Sequence, residues 1–117
     1  MAKVLIIIPD SELNEYIAFM LRGRGYQVDA QRKIADALTS LAGTRPDLLI
    51  VSQRHNERNP QGFDILRKIY FGPLLLIGDA IGSTAEALVR SDLLPLPFNS
   101  DALLKRVEAA ISSRVNS

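Results

Sequence analysis

This chain of 117 residues has no cysteine, no tryptophan and one histidine, His55. The lack of cysteine removes disulfides, thiolate metal sites and a thiol nucleophile together. An excess of charge is missing too, since 14 basic side chains face 13 acidic ones for a formal net charge of +1. Such a balance sets up no long-range field, so neither direct nucleic-acid binding nor membrane-surface binding is expected. Long apolar runs are also lacking. The first, Val4–Ile8, stops at Pro9-Asp10, too short for a signal-peptide core or a bilayer span. The expected setting is cytoplasmic.

The chain has instead a regular alternation. Val4–Ile8, Tyr26-Gln27-Val28, Leu48–Val51, Leu74–Ile77 and Leu93–Leu96 read as five strands. Three of them are apolar throughout, as strands covered on both faces are. Between them lie stretches of helical period, with Leu13, Ile17, Met20 and Leu21 in the first and Ile34, Leu38 and Leu41 in the second. Ile65, Leu66 and Ile69 mark the third, Ala85, Leu88 and Val89 a short fourth, and Leu103, Leu104, Val107 and Ile111 the last. Asp10 or Ser11 is placed to cap the first helix and Asn99 or Ser100 the last. Gly23 and Gly25 close the first helix, and Gly62 precedes the third.

Alternating βα units imply an α/β fold with a parallel sheet between helical layers. The expected form is a doubly wound (βα)5 domain, CheY-like or flavodoxin-like, with five strands in the order 2-1-3-4-5. One domain over 1–112 is large enough to bury roughly 65% of its unfolded surface, so no metal or disulfide is needed to fold it. Residues 113–117 read as a C-terminal tail or the start of a linker.

Several fragments, in this order and at these distances, resemble one family. They are Lys3–Ile8 with the acidic turn after it, Arg24-Gly25-Tyr26-Gln27-Val28 and Arg45-Pro46-Asp47-Leu48-Leu49-Ile50-Val51. Gly62-Phe63-Asp64-Ile65-Leu66 and Leu96-Pro97-Phe98, followed by Leu103-Leu104, complete the set. The whole chain resembles a response-regulator receiver domain, the CheY-like module of bacterial two-component signalling. The resemblance implies a phosphorylation site built from two acids after the first strand, an aspartate after the third, a Ser or Thr after the fourth and a Lys after the fifth. Mg²⁺ held by the acids and the phosphoryl group on the aspartate would complete it.

The matching positions here are Pro9 and Asp10 (or Ile8 and Pro9, one residue earlier), Ser52, Gly78 and Leu96. An alcohol cannot form an acyl phosphate, glycine has no hydroxyl and leucine no charge. The expectation is therefore a degenerate pseudo-receiver: not an enzyme, holding no metal and no cofactor, and working independently of phosphorylation. A helix cap accounts for Asp10 without a metal, and a turn accounts for Asp79. Ser52 with His55 makes a poor nucleophile–base pair, lacking an orienting acid or a G-x-S-x-G turn. Two other readings stay open: a flavodoxin-like binder of a small ligand at the strand ends, and a receiver with a remodelled phosphoacceptor at Asp10 or Asp79.

Two length differences bear on function. Relative to a receiver, the stretch Ser52–Gly62 is longer by about two residues and Gly78–Leu96 shorter by about four, a comparison that the resemblance alone supplies. The second change reshapes the region of the fourth helix and fifth strand. Leu93-Leu94-Pro95-Leu96-Pro97-Phe98 is apolar, falls at the sheet edge and contains two prolines that cannot donate ladder hydrogen bonds. The expected working surface is the face of the fourth helix, fifth strand and last helix. It includes Arg90, Leu93 and Leu94, and takes a protein partner or a second copy. The resemblance also implies a cis Leu96–Pro97 bond.

Overall fold

The computed structural model describes residues 2–52, 60–70, 72–78, 92–95 and 99–115. Strands β1 (Lys3–Ile7), β2 (Gln27–Gln31), β3 (Leu48–Ser52) and β4 (Leu74–Gly78) form a sheet in the order β2-β1-β3-β4. Every pair is parallel, with Val4 opposite Val28 and Leu48, and Ile50 opposite Leu75. The backbone of Asp92–Pro95, labelled β5, runs parallel beyond β4 with Gly78 opposite Pro95. The helices are α1 (Ser11–Gly23), α2 (Ile34–Gly43), α3 (Pro60–Ile69) and α4 (Ser100–Val115). The expected helix over Ala85, Leu88 and Val89 lies outside the described residues, as do Arg90 and the Leu96–Pro97 bond.

The period-two geometry of the strands feeds two separate cores. Val4, Ile6 and Ile8, with Leu48, Ile50, Leu75 and Ile77, meet Ile17 and Leu21 of α1 and Leu103, Leu104 and Val107 of α4. Leu5, Ile7, Leu49, Val51, Leu74 and Leu76 point the other way, onto Ile34 and Ala37 of α2 and Leu66 of α3. Strands buried on both faces leave no polar side of their own, which is why β1, β3 and β4 read as unbroken apolar runs.

The helix ends follow from local chemistry. Asp10 caps α1, its carboxylate accepting from the N–H groups of Glu12 (3.0 Å) and Leu13 (3.2 Å). Gly25, not Gly23, takes the left-handed conformation after that helix, with φ of 90°, which glycine adopts without a Cβ clash. Asn99 caps α4 by accepting from the Ala102 N–H at 2.8 Å. At the opposite end of the sheet Asp47 ties β3 to β1. Its carboxylate accepts from the Lys3 N–H at 2.9 Å, and its own N–H donates to the Lys3 carbonyl at 2.7 Å.

Three details differ from the sequence reading. β1 ends at Ile7 and β2 runs on to Gln31, because the β1 ladder continues to pair with Asp29, Ala30 and Gln31. Helix α3 starts at Pro60, ahead of Gly62, as suits a proline whose missing N–H would have had no helical partner in the first turn. Its rotation also differs. Leu66 is buried, whereas Ile65 and Ile69 are exposed, and Tyr70 fills the inward place expected of Ile69. Leu66 and Tyr70 share one face of the turn, and Ile65 and Ile69 sit about 100° away from it.

Candidate functional site

The carboxyl ends of β1, β3 and β4 stand side by side because those strands are consecutive in the sheet. Neighbouring strands lie about 4.8 Å apart, so Ile8-Pro9-Asp10, Ser52 and Gly78 share one rim. The register confirms the alignment, with Ile7 opposite Val51 and Ser52 opposite Ile77. In open α/β sheets this rim is where ligands bind.

The β1 end is fixed by a residue that sequence reasoning passed over. Asn14, only 5% exposed, projects from the inner face of α1. Its Nδ2 donates to the carbonyls of Ile8 (3.0 Å) and Gln31 (2.9 Å), while the Ile8 N–H donates to the same Gln31 carbonyl at 3.0 Å. One amide thus satisfies a buried and a partly buried acceptor and joins the ends of β1 and β2 to the helix. The sequence signal was an amide at a position surrounded by apolar inward neighbours. Arg32 supports the next residue, its Nε donating to the Pro9 carbonyl at 3.0 Å.

The donor set at this rim does not fit a hard divalent cation. Mg²⁺ is held by carboxylates and phosphate oxygens. Ile8 and Pro9 carry no side-chain oxygen, and the Asp10 carboxylate already accepts two backbone N–H groups at the start of α1. No group of three or more His, Cys, Asp or Glu side chains able to hold a metal occurs among the described residues. Ser52 is 7% exposed at the end of β3. Gly78 is buried at the end of β4 and contributes no side chain. Leu96, His55 and Asp79 lie outside the described residues.

On the proposed interaction face, the backbone of β5 sets Leu93 opposite Leu76 and Leu94 opposite Ile77; their side chains are outside the described residues. No helix among the described residues is long and apolar enough to cross a membrane.

Solved structures share this architecture along the full chain. A response regulator receiver protein from Burkholderia phymatum superimposes with a TM-score of 0.78 at 22% identity, covering 96% of each chain. A two-component response regulator from Clostridium difficile gives 0.80 at 18% identity, covering 100% of both. The fold is the receiver fold. The chemotaxis response regulator CheY4 of Vibrio cholerae, at 0.78 and 23% identity, covers 94% of this chain and 98% of its own. No protein-family model matches the sequence, and no curated protein matches it. The receiver fold is thus carried here by packing, with identities to these neighbours of 23% and below.

Proposed function

We propose that this chain is a pseudo-receiver: a receiver-fold module of bacterial signal transduction that binds a protein partner without being phosphorylated. The observation that carries the proposal is Ser52, a nearly buried alcohol at the end of β3, where the resemblance calls for the phosphoacceptor carboxylate. Asp10, the one acid retained next to it, is committed to capping α1. Gly78 offers no hydroxyl for phosphoryl oxygens, and the sequence has Leu96 where the compensating lysine is expected. Groups of this kind act as a unit, so losing several removes the chemistry rather than weakening it.

Binding then runs through the face of the 79–91 segment that precedes β5, β5 itself and α4, and it is constitutive. The support is the apolar stretch Leu93-Leu94-Pro95-Leu96-Pro97-Phe98, whose prolines favour side-chain packing over strand addition. The partner is a protein or a second copy in a cytoplasmic setting, with no metal or cofactor required.

The experiment is incubation with a small acyl-phosphate donor and Mg²⁺, read by intact mass. Wild type and Ser52→Asp should both stay unmodified, since the aspartate alone restores neither the metal acids nor the lysine. Stable, Mg²⁺-dependent addition of a phosphoryl group to either protein would refute the reading.

A further inference from the structure

β2 is the outermost strand on its side of the sheet, with β1 as its one neighbour. The register fixes which of its backbone groups face that neighbour. Gln27 donates its N–H to the Ala2 carbonyl at 2.9 Å, and the Gln31 carbonyl accepts from the Ile8 N–H at 3.0 Å. In a parallel pair both backbone groups of alternate residues point to the same side, so Gln27, Asp29 and Gln31 serve β1. Val28 and Ala30 turn their N–H and C=O groups outward. Such an edge is a template for another strand, and folded proteins protect it.

Two side chains stand at this edge. Arg22, in the last turn of α1, donates through Nη2 to the outward Val28 carbonyl at 3.2 Å. The turn after the helix brings it there. The Gly25 N–H donates to the Arg22 carbonyl and the Tyr26 N–H to the Leu21 carbonyl, both at 3.1 Å, so the chain enters β2 beside the end of α1. A strand added at the usual spacing of about 4.8 Å would have to displace the guanidinium or lie against its charge. Asp29 is the middle residue of β2. Its carboxylate accepts from Gln31 Nε2 at 2.8 Å and sets a negative charge at the centre of the edge.

We infer that Arg22 and Asp29 close this edge against a second copy of the chain, and that without them two copies join β2 to β2 in one continuous sheet. The antiparallel pairing that engages both outward residues sets Val28 opposite Ala30 of the second copy, and Ala30 opposite its Val28. The two-fold axis then passes by Asp29. The two Asp29 residues form a pair without ladder hydrogen bonds, with Cα atoms about 4.5 Å apart and side chains on one face. Like charges placed directly opposite repel. Moving the axis to Val28 would call on Tyr26, whose N–H is given to Leu21. Moving it to Ala30 would call on Arg32, beyond the end of the strand. The cation therefore guards the Val28 carbonyl, and the anion opposes the register centred on the strand. This edge is the opposite one from β5, and the inference does not depend on the function proposed above.

Residue-resolved amide hydrogen exchange and sedimentation equilibrium of the full chain test this together. In the wild type the Val28 and Ala30 amides should exchange fast, while those of Asp29 and Gln31, given to β1, are protected. The double variant Arg22→Ala, Asp29→Asn should self-associate at least about tenfold more tightly than the wild type. Its Val28 and Ala30 amides should gain protection as protein concentration rises. Each single variant should fall between. Arg22→Lys keeps a charge and a donor and should behave as the wild type, which separates the guard from a loosening of α1. Wild-type Val28 and Ala30 amides as protected as that of Asp29 overturn the inference, because the edge would then be covered by something else. So does a double variant that associates no more tightly than the wild type, or one whose association leaves these two amides open. Should the double variant unfold, Asp29→Asn alone, with Arg22 in place, carries the same test: no added protection at Ala30 overturns the inference.

Discussion

At the residue scale, Gly72 and Tyr70 depend on each other. A Cβ at position 72 would lie 2.5 Å from the Tyr70 hydroxyl oxygen and 2.7 Å from Cζ, closer than any non-bonded carbon tolerates. The ring cannot retreat freely. It is nearly fully buried within the α2–α3 core, and its hydroxyl donates to the Pro46 carbonyl at 3.3 Å. Gly72→Ala should therefore destabilise the domain by about 1–3 kcal/mol through forced repacking, measured by urea unfolding. In a Tyr70→Phe background the same substitution should cost less, because the nearest atom is gone, yet not become neutral, because Cζ remains. Equal costs in the two backgrounds would mean that the ring is not what reads the missing side chain. This pairing was not legible in the sequence. Nothing in Tyr70-Phe71-Gly72 says that an aromatic ring folds over a residue two positions on.

At the scale of elements, what the sequence disclosed follows from burial. β1, β3 and β4 are enclosed on both faces and announce themselves as apolar runs, whereas β2 alternates through Gln27, Asp29 and Gln31 at the sheet's edge, so only its start reads as a strand. Its second half is held by pairing with β1 and by the Gln31 amide donating to the Asp29 carboxylate at 2.8 Å. The rotation of α3 is hidden in the sequence for a related reason. Ile65 and Ile69 look as apolar as Leu66, and only the position of Tyr70 decides which row faces in. Of the candidate site, Pro9, Asp10, Ser52 and Gly78 could be placed on one rim from strand order alone. The Asn14 bridge could not, because its partners are backbone carbonyls with no side-chain signature. Asp10 gives the element-scale test. Asp10→Ala removes the α1 cap and should cost about 1 kcal/mol, whereas Asp10→Ser or Asp10→Asn should recover most of it. Chemical denaturation with and without millimolar Mg²⁺ should give the same ranking, because the carboxylate works as a cap. Selective loss of a Mg²⁺-dependent stabilisation in the Ala variant would assign it to metal binding instead.

At the scale of the whole molecule, α1 and α4 lie over the same face of the sheet, and Tyr26 is placed where both reach it. It packs partly buried against that core. Burial raises its phenol above the ordinary value of 10.0, the Glu108 carboxylate of α4 raises it further, and Arg24 opposes both. A proton held more tightly in the folded state gives a stability contribution that is complete below pH 10 and lost as pH rises through the folded value. The urea midpoint should therefore be insensitive to this group at neutral pH and fall on the alkaline side. Tyr26→Phe should remove that part of the fall, since phenylalanine has no proton to lose. An unchanged alkaline limb in the variant would exclude Tyr26 as its source.

The order in which the sheet is assembled has a consequence for how the chain is made. β1 leaves the ribosome before the other strands of the sheet and sits inside it, with β2 added to one side and β3 and β4 added in turn to the other. Each later strand therefore docks onto one that has already been synthesised, and none must wait for a partner still inside the exit tunnel. The nascent chain can grow outward from its own first strand, its unfinished edge advancing with translation.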